Sequence, residues 1–356
     1  MNKVTKVRFD NLDLLKAVAM LMVVSLHIPV WGPEYPMERF LPSLLSYAFR
    51  LVMEGVPIFV MVNGFLMFRK RELALGKHLK KIIHFVLLLW IWSFVMIIGG
   101  MVLTGEPISL EAIFSYFFST RVGSKYTGVL WFLQSLIGLY LLMPILKIVY
   151  NANYKCYKYL FCIVAFFAVG IDTIELLLEL LAPVIHGTAI LSIPGYLERF
   201  GIFSDGSFVL FAMLGGILWR ELEYIEQKRY LFAGLGLGAW LAAILCGVIL
   251  GLDNHSMYNP TFNYGSIFMV FILVGWYAAT LSYQNQGKWY HKVIRSIGEN
   301  TLGIYFLHIF VIAIVRMLLP FESVVVRLVQ WGIVFIASWL GSVMMKRIPI
   351  VKNLVC

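Results

Sequence analysis

Apolar runs of about 20 residues recur along the whole chain, and short polar segments separate them. A run of this length crosses the ~30 Å hydrocarbon core of a bilayer as a helix, which satisfies its own backbone hydrogen bonds there. We therefore predict an all-α polytopic membrane protein with about ten transmembrane helices. The predicted spans are 11–31, 44–67, 82–103, 128–149, 158–182, 206–220, 230–251, 263–283, 296–319 and 327–345.

The composition excludes an ordinary soluble protein. The 356 residues are 61% hydrophobic and 13% charged, whereas soluble domains are about 25% charged. We expect one membrane domain over residues 1–356, with no appended soluble domain. The first apolar run follows a basic segment, as in a signal peptide, but it is longer than a signal peptide's apolar region and no cleavage signal follows. We predict that it is a retained first helix.

The distribution of basic residues predicts the orientation of the chain in the membrane. If the N-terminus is inside, 21 of the 29 Lys and Arg residues fall in cytoplasmic segments and seven lie at or beyond the outer ends of spans. This positive-inside bias places both termini in the cytoplasm. It also accounts for the net charge of +10 without a nucleic acid partner. The four cysteines show no C-x-x-C spacing, and we predict neither a disulfide nor a metal site.

The first span contains three residues that are costly in hydrocarbon, Asp13, Lys16 and His27. Lys16 and His27 are eleven residues apart, which on a helix is about three turns and ~16 Å, on nearly the same face. Lys16 is then near the cytoplasmic surface and His27 in the outer half of the membrane. Lys16 alone is also explained if it extends to the headgroups and pairs with Asp13, but His27 is not.

The second span contains Glu54 near its outer end and Asn63 farther along. A buried Asn often only forms an interhelical hydrogen bond, whereas Glu54 needs water, a cation or a proton. The basic cluster Arg69–Arg71 follows. It is either a topological signal or a site for phosphates at the cytoplasmic face.

Two later spans and three loops add polar candidates. Gln134 lies among aromatic residues of the fourth span, and Tyr305 and His308 share one stripe of the ninth. A second intramembrane histidine indicates a shared internal cavity, although a buried histidine is more often a packing residue. The long, aromatic loops 105–128, 182–206 and 251–265 are either a lid over a cavity or an interfacial anchor.

Four motifs stand in order along the chain: "LKAVAMLMVVSLH" (15–27), "VPIFVMVNGFLMF" (56–68), "LWFLQSLIGLYLLMP" (130–144) and "IGENTLGIYFLH" (297–308). With these motifs the chain resembles the acyltransferase-3 family of membrane O-acyltransferases from about residue 10 to 345. The family usually has Arg where Lys16 stands and Ser where Asn63 stands. The glycine-bearing segment 211–220 is similar to the bacterial surface-polysaccharide O-acetyltransferases.

The resemblance implies transfer of an acyl group, which we expect to be acetyl, from cytoplasmic acyl-CoA to a hydroxyl of a cell-surface glycan or lipid-linked sugar. The protein would act in the plasma or inner membrane, with acetyl-CoA as cosubstrate and no metal. His27 would be the general base, oriented by Glu54 or Asp13. The cations available for CoA phosphates are Lys16, Arg69, Arg71, Lys80 and Lys81. The candidates for binding substrate or a developing oxyanion are Asn63, Trp131, Gln134, Tyr305 and His308.

Two other functions remain open from the sequence. A solute transporter, for example of serine, would use the same intramembrane His and Glu residues as a proton relay. No internal repeat and no pair of broken helices supports that function. The second alternative is a noncatalytic scaffold.

Overall fold

All regular elements of the described chain are helices. The computed structural model describes residues 8–28, 40–52, 54–118, 125–181, 194, 197, 206–254, 256–257, 264–320 and 323–355. The helices are α1 (Asp10–His27), α2 (Phe40–Val52), α3 (Gly55–Phe68), α4 (Leu75–Thr104), α5 (Leu110–Phe117), α6 (Trp131–Ala152), α7 (Tyr154–Ala165), α8 (Ile171–Leu181), α9 (Ser207–Arg220), α10 (Leu222–Gln227), α11 (Arg229–Asn254), α12 (Ile267–Thr280), α13 (Trp289–Glu299), α14 (Thr301–Leu318) and α15 (Val324–Arg347). A π-helical turn, Phe166–Gly170, joins α7 to α8, and short 3₁₀ turns cover Gly128–Leu130 and Lys352–Leu354.

Within these ranges, seven helical segments are long and apolar enough to cross a membrane. α9 and α12 are apolar but shorter, and α1 carries acidic and basic residues in its first two turns. The prediction of an all-helical, multi-pass membrane protein is confirmed, whereas the count of ten spans and the orientation of the termini stay predictions. The seven segments are Ser43–Phe68, Leu75–Thr104, Gly128–Ala152, Tyr154–Leu181, Arg229–Leu252, Thr301–Leu318 and Val324–Arg347.

The predicted second span, 44–67, consists of two helices. α2 ends at Val52 and α3 begins at Gly55, so Glu54 lies at the junction rather than inside a helix. Pro57 explains the restart, because a proline in a continuous helix clashes with the carbonyl four residues earlier and lacks an N–H. In the first turn of α3, that N–H has no helical partner to lose.

The predicted ninth span, 296–319, begins later than expected. α13 ends at Glu299 and α14 begins at Thr301. α13 is amphipathic, and Arg295 and Glu299 form an exposed ion pair of 3.1 Å between Nε and Oε1. The first residues of the predicted span therefore belong to a polar helix and not to the apolar segment.

By contact density the chain divides into two compact units. The first comprises Met1–Leu66 and Tyr159–Cys356, and the second comprises Met67–Lys158. In the first unit, α1 contacts α12, α13, α14 and α15. Leu15, Ala19 and Val24 of α1 are completely buried. The indole of Trp331 donates to the backbone oxygen of Leu21 at 3.1 Å. α1 is thus a central helix, which explains how it holds polar residues away from lipid.

Close approach of backbones holds α3 in the same unit. A Cβ added to Gly64 would lie 2.1 Å from the Ala212 carbonyl oxygen of α9, and one added to Gly215 would lie 2.1 Å from that of Met61. A Cβ on Gly55 would lie 2.2 Å from the Ala19 carbonyl oxygen of α1. Glycines permit this packing, which membrane helices use because burial of apolar side chains gives little driving force in lipid.

In the second unit, α4 packs against α5 and α6. The 105–128 segment, predicted as a loop, contains α5, whose Ile113 packs with Ile97 and Met101 of α4. Glu106 accepts hydrogen bonds from the Tyr116 hydroxyl and from Lys125. The Lys125 ammonium lowers the pKa of Glu106, which is therefore ionised at neutral pH. Residues 119–124, most of the predicted 182–206 loop and 258–263 lie outside the described chain.

Candidate active site

Two histidines from distant parts of the sequence meet in the first unit. His27 is the last residue of α1, and its ring centroid lies 5.0 Å from that of His308 in α14, with 51° between the ring planes. His308 is completely buried and His27 is half-buried. The tertiary structure therefore joins the two intramembrane histidines that the sequence singled out.

The hydrogen bond of His308 assigns the proton on its ring. Nδ1 lies 3.2 Å from the carbonyl oxygen of Ile304. Because a carbonyl oxygen only accepts, neutral His308 carries its proton on Nδ1 and a lone pair on Nε2. Nε2 is buried and has no hydrogen-bond partner in the described part of the chain. An unmatched buried acceptor costs free energy, and at a functional site it offers a place for a donor such as a hydroxyl.

Two arginines border the histidine pair. The Arg316 guanidinium donates to the backbone oxygen of His27 at 3.3 Å. Arg50 of α2 also lies within electrostatic range of the His27 ring. Both arginines are among the seven basic residues that lie at or beyond the outer ends of the predicted spans. The i, i+8 spacing of His308 and Arg316 was the available signal for Arg316, whereas nothing local marked Arg50.

Glu54 and Tyr264 lie in the same electrostatic environment. The Glu54 side chain is buried, and Arg50 is near enough to act on it. Tyr264, at the end of the predicted 251–265 loop, lies within electrostatic range of both Glu54 and Arg50. Its φ of 63° is the one positive value among the non-glycine residues described. A tyrosine in this region is strained, and such residues cluster at functional sites.

Two further candidates have defined partners. The ring centroid of Tyr305 lies 6.1 Å from that of His308, so Tyr305 belongs to the histidine cluster. The amide of Asn63 donates to the carbonyl oxygen of Phe59 in its own helix at 2.9 Å. That bond uses one amide hydrogen of Asn63.

Asp13 and Lys16 lie in a separate charge cluster at the other end of α1. Lys16 Nζ is 2.8 Å from Asp13 Oδ1, and Arg8 Nε is 2.5 Å from Asp13 Oδ2. Arg8 also reaches Glu299 Oε1 at 2.6 Å. The carboxylate of Asp13 therefore contacts these cations and does not orient His27, which is fourteen residues or ~21 Å farther along the helix. Of the two carboxylates expected to orient His27, Glu54 is the one that shares a neighbouring charge with it, because Arg50 lies within electrostatic range of both side chains.

The remaining candidates lie in the second unit. Arg71 and Lys80 are exposed, and Arg69 is half-buried. Lys81 Nζ donates to the Tyr140 hydroxyl at 2.8 Å, so its ammonium already has an acceptor. Trp131 is half-buried and packs edge-on against Phe132, whereas Gln134 is exposed.

A comparison with known protein families identifies the family of this chain. A family model described as an acyltransferase domain matches residues 9–347, nearly the whole chain. The chain belongs to the acyltransferase-3 family. No curated protein and no solved structure matches it.

As an acyltransferase-3 protein with several membrane-crossing helices, the molecule is a membrane acyltransferase. The predicted family is confirmed. The predicted similarity to the surface-polysaccharide O-acetyltransferases stays a prediction, as do the roles of the individual residues. The acyltransferase-3 match includes both histidines, Glu54 and the basic residues of the second unit.

Proposed function

We propose that the protein is an O-acetyltransferase of the plasma or inner membrane. It transfers the acetyl group of cytoplasmic acetyl-CoA to a hydroxyl of a cell-surface glycan or lipid-linked sugar. The observation that carries the proposal is the contact of the His27 and His308 rings within a chain of this family. A buried imidazole and a half-buried one, with two arginines near them, suit proton transfer coupled to formation of a negatively charged intermediate.

In the proposed reaction, His27 acts as the general base. Its neutral imidazole takes the proton of the acceptor hydroxyl while the oxygen attacks the thioester carbonyl. The C–O bond forms, the C–S bond breaks, and the proton passes from His27 to the leaving CoA sulfur. The tetrahedral oxyanion needs nearby positive charge or donors, and Arg50, Arg316 and Tyr305 are the candidates in this environment.

His308 has a supporting role in this proposal. Its Nδ1 proton is held by Ile304, so Nε2 is available as an acceptor. That lone pair can accept a hydrogen bond from the acceptor or from the His27 ring, and either bond orients the reacting group. Glu54 is the proposed carboxylate that balances the charge of Arg50.

The donor carries several phosphates, which bind best to fixed cations. We propose Arg69, Arg71 and Lys80 of the second unit for this role, because Arg71 and Lys80 are exposed and Arg69 is half-buried, so that a soluble anion can reach their charges. Lys81 would have to give up its bond to Tyr140, and Lys16 its bond to Asp13, before either could bind a phosphate.

The test is CoA release from acetyl-CoA by the full-length protein in membranes. His27→Gln should reduce the rate by about a hundredfold or more, because it removes the general base. His84→Gln is the matched control, since His84 is a half-buried histidine of α4 in the other unit, and it should keep the wild-type rate. The proposal is wrong if the wild-type protein neither binds nor hydrolyses acetyl-CoA but does transport a solute such as serine. A mass difference in the cell-surface glycan after deletion of the gene would identify the acceptor.

A further inference from the structure

Two side chains of α6, one helical turn apart, bind the backbone of a single turn. Lys147 Nζ donates to the carbonyl oxygen of Phe68 at 2.5 Å. Asn151 Nδ2 donates to the carbonyl oxygen of Arg71 at 3.2 Å. All of these residues lie in the second unit, and the two bonds hold both ends of the Phe68–Arg71 turn that follows α3.

Lys147 is an unusual residue for a purely structural bond. It is 4% exposed, and within the described chain no carboxylate lies within ion-pair distance of its ammonium. The Tyr150 ring centroid is 4.9 Å from Nζ and the Phe68 centroid 5.9 Å, which offsets part of the cost of burial. An apolar side chain of similar length would avoid the remaining cost.

The bonds restrict a turn that contains three consecutive cations. Phe68 is 1% exposed and packs on Tyr150 and Tyr157, with ring centroids 4.9 and 5.2 Å apart. The turn is thus fixed at Phe68 by packing and at both ends by hydrogen bonds. Because its backbone is fixed, binding of an anion by its side chains loses less conformational entropy.

We infer that Lys147 and Asn151 are positioning residues, which hold the Phe68–Arg71 turn so that its cations bind a phosphate ester. The identity of that ester as the phosphate of the acyl donor rests on the proposed function. An anionic lipid headgroup has the same chemistry, so the experiment separates the two sources. The buried ammonium also adds positive potential beneath the turn.

The first measurement is the affinity of CoA for the full-length protein in nanodiscs of zwitterionic phosphatidylcholine. Lys147→Met and Asn151→Ala should each weaken CoA binding by about fivefold, as expected for loss of one hydrogen bond. Lys147→Arg should restore part of the affinity because it keeps the donor and the charge. Lys77→Met removes an exposed lysine of the same unit and should change CoA affinity by less than about twofold.

The second measurement does not need the acyltransferase activity. In CoA-free nanodiscs, trypsin should cleave after Arg69–Arg71 several times faster in Lys147→Met and Asn151→Ala than in the wild type, relative to cleavage after Lys228 and Arg229. Asn151 is exposed, so its variant serves if the Lys147 variant does not fold.

In turnover assays the variants should raise the KM for acetyl-CoA and leave kcat within about twofold.

The outcomes separate the inference from the proposed function. If trypsin cleaves both variants at the wild-type rate, Lys147 and Asn151 do not hold the turn, and the inference is wrong. If cleavage is faster but CoA affinity is unchanged, the two residues hold the turn without contributing to phosphate binding, and the inference is again wrong. If wild-type protein does not bind CoA, the proposed function fails. If anionic phosphatidylglycerol nanodiscs then slow cleavage of the turn in wild type but not in Asn151→Ala, the phosphate ester is a lipid headgroup.

Discussion

Lys16 and His27 share one face of α1, yet their partners are different. Lys16 pairs with Asp13 near the start of the helix, and His27 lies against His308 near its end. The alternative interpretation of Lys16, in which it pairs with Asp13, is the arrangement that the structure contains. An active role of Lys16 toward the donor would require this ion pair to open.

Asp13→Asn tests the strength of the charge cluster. Its side chain is 7% exposed and neutralises two cations, so the substitution should destabilise the protein by about 1 kcal/mol, a value reduced because Arg8 and Lys16 are partly exposed. The measurement is the thermal unfolding midpoint in detergent.

The double variant Asp13→Asn with Lys16→Met is the control for this prediction. If the ion pair contributes, the double variant should be less destabilised than the sum of the single variants, because each single change removes the same interaction. Additive effects would contradict a stabilising pair.

The packing of α3 depends on glycines as much as on its apolar side chains. Gly64→Val should destabilise the protein by about 1–3 kcal/mol or prevent its folding, because the new Cβ would overlap the Ala212 carbonyl oxygen. The measurement is again the unfolding midpoint and the yield of monodisperse protein.

Gly138→Val of α6 is the matched control, because a Cβ at Gly138 has no neighbour within 4 Å. It replaces the same residue by the same side chain in another apolar helix. Its unfolding midpoint should stay near that of the wild type. A similar loss for both variants would show that helix propensity, and not the contact between α3 and α9, causes the effect.

Two of the predicted spans, the second and the ninth, are interrupted by a junction between two helices. Glu54 stands at the junction of α2 and α3, and Asn300 at the junction of α13 and α14. Pro57 was a signal in the sequence for the first junction. The spans were predicted from mean hydropathy, which stays high across both junctions and therefore gave continuous spans. A window of about 20 residues measures apolar content, and it does not register where helical hydrogen bonds stop.

The orientation of the whole molecule is predicted by charge alone. Because 21 basic residues fall on one side and seven on the other, we expect both termini in the cytoplasm. Alkaline phosphatase fused after residue 356 should be inactive, and the enzyme inserted into the 105–128 segment should be active, since it matures only outside the cytoplasm. The reverse pattern of activities would contradict the orientation.

The sequence by itself determined the helical class, the membrane environment and the family of this protein. The helical class and the membrane environment follow from local composition, because the hydrocarbon core requires long apolar helices with satisfied backbones wherever the chain crosses it. The family follows from the four motifs that resemble it, and not from composition. The sequence also identified His27, Glu54 and His308, since ionisable residues stand out in apolar runs.

Only the tertiary structure decided which of these residues meet. His27 lies with His308 and near Arg50 and Arg316, whereas Asp13 lies with Lys16. Lys147 and Asn151 bind a turn from which they are far removed in sequence. Periodicity reports the face of a helix on which a side chain lies, but the partner of that face depends on how distant helices pack, and that packing is a property of the whole chain.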